Sequence, residues 1–131
     1  VNLGARLEGH SRVYGVDSVV SEPTRKLAPQ FAWQELDRVR VKGKQQAVSI
    51  YQPLGPASGL DKAAMDELKT WAALLKSYRA QDWEQCDVHL LNLQRMNARK
   101  PLYELYGERV ASMRMLPPDP HWDGATNFET K

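Results

Sequence analysis

Cysteine is almost absent from this sequence: Cys86 is the only one among 131 residues. A disulfide framework within the chain is thereby excluded, and the composition fits a reducing, cytoplasmic compartment. With three histidines beside that one cysteine, a zinc-ligand constellation is not expected. Long apolar runs are missing. The longest, Trp71 to Leu75, spans five residues, where a membrane helix needs roughly 20. No signal peptide is visible. An excess of charge is missing too. The 18 basic and 16 acidic side chains leave +2, too little for a dedicated nucleic-acid binder. What is there is an ordinary globular composition, 42% hydrophobic and 26% charged. The length suffices to bury a core without cross-links.

The chain opens at Val1 directly into a helix-like run, which reads as a piece of a longer protein. Its composition shifts at Gln52-Pro53-Leu54-Gly55-Pro56-Ala57-Ser58-Gly59. Two prolines, two glycines and a serine mark a linker there. Residues 1–55 carry 8 basic against 5 acidic side chains, and residues 56–131 carry 10 against 11. The basic character therefore belongs to the first part.

The first part reads as helix, strand, short helix and β-hairpin. Leu3 and Leu7 share a helix face with Val1 nearby. Gly9 and Gly15 bracket the helix exit. Val16 to Val20 forms a short strand. Ser21 is placed to cap a short helix with Pro23 in its first turn. From Phe31 to Lys42 the period is two. Val39 and Val41 point one way, and Arg38, Arg40 and Lys42 the other. Lys42 to Gln46 is the turn, and Val48 to Tyr51 the returning strand.

The second part reads as helical. Leu60, Ala64, Leu68, Trp71, Leu75 and Tyr78 form one apolar stripe. Asp82 caps a second helix with Gln85 three residues later, and Cys86, Leu90 and Leu93 face inward. Pro101 opens a third helix with Leu102, Tyr106, Val110 and Met113 inward. The first two helices should form an antiparallel hairpin. Trp71, Leu74, Tyr78 and Trp83 also follow part of a tetratricopeptide-type spacing, with Leu75 at the repeat's glycine position. The proline-rich tail leads to one more strand ending near Phe128.

Asn2 and Arg6 lie four apart on the first helix, so their side chains project together. Arg38, Arg40 and Lys42 form a basic comb on one strand face, and Lys44 follows. An amide, forked guanidinium donors and ammonium charges suit a nucleoside polyphosphate. From spacing alone, a solvated helix face plus a solvated strand face accounts for the same residues.

Four blocks narrow this. They are Val1-Asn2-Leu3-Gly4-Ala5-Arg6-Leu7-Glu8-Gly9, Val19-Val20-Ser21-Glu22-Pro23-Thr24, Glu35-Leu36-Asp37-Arg38-Val39-Arg40-Val41-Lys42-Gly43-Lys44 and Val48-Ser49-Ile50-Tyr51. In order and spacing they resemble the C-terminal half of a class III adenylate/guanylate cyclase domain. The ending Pro117-Pro118, Trp122-Asp123-Gly124, Thr130-Lys131 is similar to that of bacterial membrane-anchored cyclases with an extracytoplasmic sensor domain. The resemblance implies an α+β fold: the C-terminal half of a ferredoxin-like core over residues 1–55, then a helical hairpin or three-helix extension with a proline-rich tail over 56–131.

The resemblance also implies roles. Asn2 orients the ribose. Arg6 stabilises phosphate charge in the transition state. Lys42 contacts the terminal phosphates, and Lys44 assists. The partner is a nucleoside triphosphate, ATP or GTP, which is cyclised in signal transduction. The cofactor is Mg²⁺ or Mn²⁺, whose ligands in the family lie upstream of the asparagine motif and are not in this chain. Asp17 and Asp37 do not match them. A homodimer with shared active sites is expected, with strand exchange of the half-domain as one route to it. The chain is expected on the cytoplasmic side, meeting a membrane only through upstream segments. No nucleic acid is expected.

Other residues have plainer readings. Cys86 and His89 stand three apart on a helix, but lack further ligands; Cys86 reads as a small core residue. Trp71, Trp83 and Trp122 read as packing anchors rather than a ligand cage, and Tyr103 and Tyr106 likewise. An alternative function of another class is a non-enzymatic helical module that binds a partner or dimerises.

Overall fold

Alternation along residues 31–41 is strong enough to make a long strand, and the sheet is organised around it. The computed structural model describes residues 11–41 and 46–128. It divides into two compact units, Val1–Leu60 with Ala125–Lys131, and Asp61–Gly124. The expected first helix, with Leu3 and Leu7, lies outside the described residues.

The first unit is an α+β arrangement on a mixed four-stranded sheet. Its elements are α1 (Ser11–Tyr14), β1 (Val20–Ser21), α2 (Glu22–Lys26), β2 (Phe31–Val41), β3 (Val48–Pro56), a 3₁₀ turn (Ala57–Gly59) and β4 (Thr126–Phe128). The order across the sheet is β1-β3-β2-β4. β1 and β2 each pair antiparallel with β3, and β4 pairs parallel with β2.

The β2–β3 register is not uniform. Glu35 pairs with Tyr51 and Asp37 with Ile50, so Leu36 is an extra residue. Such a bulge turns neighbouring side chains toward one face. Leu36 and Asp37 are accordingly both buried, together with Gln34, Val39 and Ile50. A second slip falls between Ala32 and Trp33, which pair with Gly55 and Pro53. Gly55 has φ +101° there, a conformation glycine adopts without steric cost.

Two local expectations change. The strand expected over Val16–Val20 is only Val20–Ser21, because Val16 donates back to the Ser11 carbonyl and closes the α1 turn. The linker expected over 52–59 is instead strand to Pro56 and then a 3₁₀ turn. β1 reaches only Tyr51, so Pro53 lies beyond the last residue of β3 paired on that side among the described residues. Proline is tolerated at such an edge. Ser21 does occupy the N-cap of α2, with proline in the first turn, but its side chain makes no capping bond.

The second unit holds α3 (Lys62–Arg79), α4 (Trp83–Met96) and α5 (Pro101–Met115). Asp61 caps α3 by accepting from the Ala64 amide at 2.8 Å. Asp82 caps α4 by accepting from the Gln85 amide at 3.3 Å, as its spacing indicates. Gln81, at φ +59°, turns the chain between these helices. The buried stripe is Trp71, Leu74, Leu75 and Tyr78 on α3, Cys86, Leu90 and Leu93 on α4, and Leu102, Tyr103, Tyr106 and Val110 on α5. Met113 is half-buried.

Aromatic rings join the three helices. Trp71 packs 5.3 Å from Tyr103 and, edge-on, 4.9 Å from Tyr106. Tyr78 meets Tyr106 at 4.9 Å, Trp122 at 5.3 Å and Trp83 at 6.2 Å. Edge-to-face geometry sets each ring's positive rim against a neighbour's negative face. The tryptophans thus serve as packing anchors.

Leu93→Ala is expected to cost about 2–5 kcal/mol, because it empties a fully buried site. Leu91→Ala, at a half-exposed position of the same helix, should change stability by less than about 0.5 kcal/mol. Urea unfolding of the two variants checks the contrast.

Candidate functional site

The basic end of β2 is the described feature nearest in sequence to the expected site. Asn2, Arg6, Lys42 and Lys44 themselves lie outside the described residues. Val41, the last residue of β2, directly precedes Lys42. Arg38 pairs across the ladder with Ser49, and Arg40 with Asn127 of β4. The Arg40 guanidinium donates to Asn127 Oδ1 at 2.9 Å. Arg40 is therefore engaged along the sheet, a partner the comb of alternating cations does not reveal.

Behind this basic face sits a buried carboxylate. Asp37 Oδ2 accepts from the Tyr14 hydroxyl at 2.7 Å, and Oδ1 accepts from the Arg38 amide at 2.8 Å. Burying an acidic group is tolerable only with such donors. The contact ties the end of α1 to β2. Beside it, Gln52 donates to Gln34 Oε1 at 2.7 Å. Asp37 thus has a structural role here.

A second cluster sits where α2 meets β3. Glu22 accepts two bonds from Arg25, each 2.9 Å, and the Arg25 guanidinium lies 4.7 Å from the Tyr51 ring centre. The bond from Arg25, and then one from Tyr51, hold the Glu22 carboxyl down at about 2. Burial, and then the hydrogen bond to Glu22, push the Tyr51 hydroxyl up to about 12. Neither group exchanges a proton near neutral pH, so the cluster suits packing and not acid–base catalysis. The i,i+3 spacing of Glu22 and Arg25 was its one legible signal.

Within the helical unit, Glu67 accepts from the Tyr103 hydroxyl at 2.6 Å and from Asn97 at 3.4 Å. Lys100 Nζ lies 3.8 Å from the same carboxylate and 5.1 Å from the Tyr103 ring centre. Burial lowers the Lys100 pKa, and the Glu67 charge opposes that shift. This cluster joins α3 to the start of α5, and no sequence spacing announces it.

Among the described residues no group of three or more His, Cys, Asp or Glu is placed to hold a metal ion. Cys86 is fully buried. Burial first, then the charges of Asp82 and Asp87, push its thiol up to about 12, which leaves it unreactive. Among the described residues no helix is long and apolar enough to cross a membrane.

No protein-family model, curated protein or solved structure matches this chain.

The Glu22 pKa, depressed from 4.5 to about 2, favours the fold at pH above 4.5. That contribution is lost as pH falls toward 2. Glu22→Gln should therefore flatten the stability profile between those limits. The effect is modest, because both side chains of the pair are 33% exposed. Cys86 should resist alkylation at pH 8 in the folded chain and react once denaturant unfolds it, as mass spectrometry would show.

Proposed function

We propose that this chain carries the C-terminal half of a class III nucleotide cyclase domain, followed by a helical extension. The observation that carries this reading is the order and spacing of the four sequence blocks from Val1 to Tyr51. The antiparallel β2–β3 pairing supports it, since Lys42, Gly43 and Lys44 are residues of the segment connecting those two strands. The α+β character of the first unit is in keeping with it.

In this reading the ribose 3′-oxygen attacks the α-phosphorus, and pyrophosphate leaves. Asn2 orients the ribose. Arg6 and Lys42 place positive charge where negative charge develops, with Lys44 assisting, so their attraction is greatest in the transition state. Mg²⁺ or Mn²⁺ would activate the nucleophile and neutralise the leaving group, with ligands that this reading places outside the chain. The active site is shared between two protomers on the cytoplasmic side of a membrane. ATP and GTP are both open as substrates.

A second reading treats the helices as a binding or dimerisation module. The observation in its favour is α4, which buries Cys86, Leu90 and Leu93 while leaving Val88 and Leu91 about half exposed. The two readings are compatible, because a helical extension can regulate a cyclase. A strict monomer by light scattering at high concentration would contradict the expected dimer, and together with no apolar groove left open between the helices it would count against the module.

In the parent enzyme, Arg6→Ala is expected to lower kcat by about 100-fold or more with KM little changed. Normal turnover would overturn the reading of Arg6. Residues 1–131 alone, with Mg²⁺ or Mn²⁺, are expected to make no cyclic nucleotide. Formation of cAMP or cGMP would contradict a divided active site.

A further inference from the structure

α4 carries a second stripe on the side away from its core face. Val88 is 49% exposed and Leu91 51%. Four residues before Val88 stands Glu84, and four after Leu91 stands Arg95, both exposed. Spacings of four, three and four keep these side chains on one side of a helix. The same spacing is the seam along which two helices pack. Cys86, Leu90 and Leu93 occupy the opposite side and are buried. Among the described residues neither Glu84 nor Arg95 is held in an ion pair.

The stripe is self-complementary. It begins with an acid, ends with a base and has two branched apolar residues between them. A two-fold axis midway between Val88 and Leu91 sets Val88 of one copy against Leu91 of the other. The same axis sets Glu84 against Arg95 at both ends. It also crosses α4 at its middle, because Val88 and Leu91 lie equally far from the helix ends Trp83 and Met96. Two copies therefore overlap along the whole helix, about 20 Å. A parallel arrangement would oppose Glu84 to Glu84 and Arg95 to Arg95, and like charges repel. Each charge also suits the dipole of its own helix. That does not account for the apolar pair exposed between them.

We propose that α4 is a docking surface for a second copy of this chain, packed antiparallel about that axis. Pairing covers Val88 and Leu91 and closes an ion pair at each end. One patch serves both subunits, as a two-fold interface requires. Few side chains take part, so the dimer is weak and forms as concentration rises. The inference rests on the second reading, in which the helices associate, and supplies its partner. It makes no use of the cyclase reading.

Sedimentation velocity on the full 131-residue chain, at low salt and up to about 1 mM, tests this. Wild type is expected to pass from monomer to dimer, and less readily at high salt. Glu84→Arg and Arg95→Glu should each weaken association about tenfold or more, because each opposes like charges at both ends of the pair. The double variant should restore association. An equimolar mixture of the two single variants should associate more strongly than either alone. Both positions are exposed, so these changes leave the core intact. Leu91→Ser should remove the dimer. A wild type that stays monomeric at about 1 mM overturns the proposal, whatever else covers α4. Weakening without rescue in the mixture overturns the antiparallel pairing. A dimer that Glu84→Arg leaves intact overturns it too: association then runs through another face, and the module reading stands. Failure of the cyclase assays leaves these measurements unaffected.

Discussion

Backbone pairing along β2 is the constraint on which the first unit depends. An extended strand must bond its amides and carbonyls to neighbours or to water. β3, the next strand in the chain, pairs from Phe31 to Val39, and β4 pairs with the last three residues. The bulge at Leu36 then decides which side chains enter the core. It places Leu36 and Asp37 inside together, which obliges the Tyr14 hydroxyl and the Arg38 amide to satisfy the carboxylate. One extra residue thus accounts for a buried acid, its tyrosine partner and the attachment of α1.

The helical unit rests on a different interaction, the packing of aromatic rings. Tyr78 touches rings from α4, α5 and the tail. Trp71 bridges two tyrosines of α5. Large flat side chains bury much area with few rotatable bonds, so they order several elements at small entropic cost. Around this core lie ion pairs such as Arg114 with Asp87 at 2.7 Å, both about half exposed. Exposed pairs of this kind contribute little to stability. The chemistry proposed for the molecule belongs to the basic end of β2 and the residues around it in sequence, while the aromatic rings account for the packing of the helical unit.

The two units were legible in the sequence to different degrees. Apolar residues at spacings of three and four identify the helices, because that period is a property of the helix itself. The caps Asp61 and Asp82 act within three residues, and the Asp82 cap could be read directly. Proline and glycine near residue 55 obscured the end of β3, because the same residue types serve both linkers and edge strands. The block pattern is what points to Asn2, Arg6, Lys42 and Lys44 as residues of the proposed site. The contacts of Arg40 with Asn127 and of Glu67 with Tyr103 join residues far apart in sequence, and no local period encodes them.

By itself the sequence determined the helices, the long β2 strand, the fate of Cys86 as a core thiol and the absence of any long apolar run. Each follows from composition or from a spacing of a few residues. Only tertiary structure decided that Asp37 is buried, that Arg40 is engaged by Asn127, and that the tail returns to the sheet as β4. The reason is physical. A bulge, a parallel strand pair and a buried carboxylate depend on which distant segments meet, and meeting is a property of the folded chain as a whole.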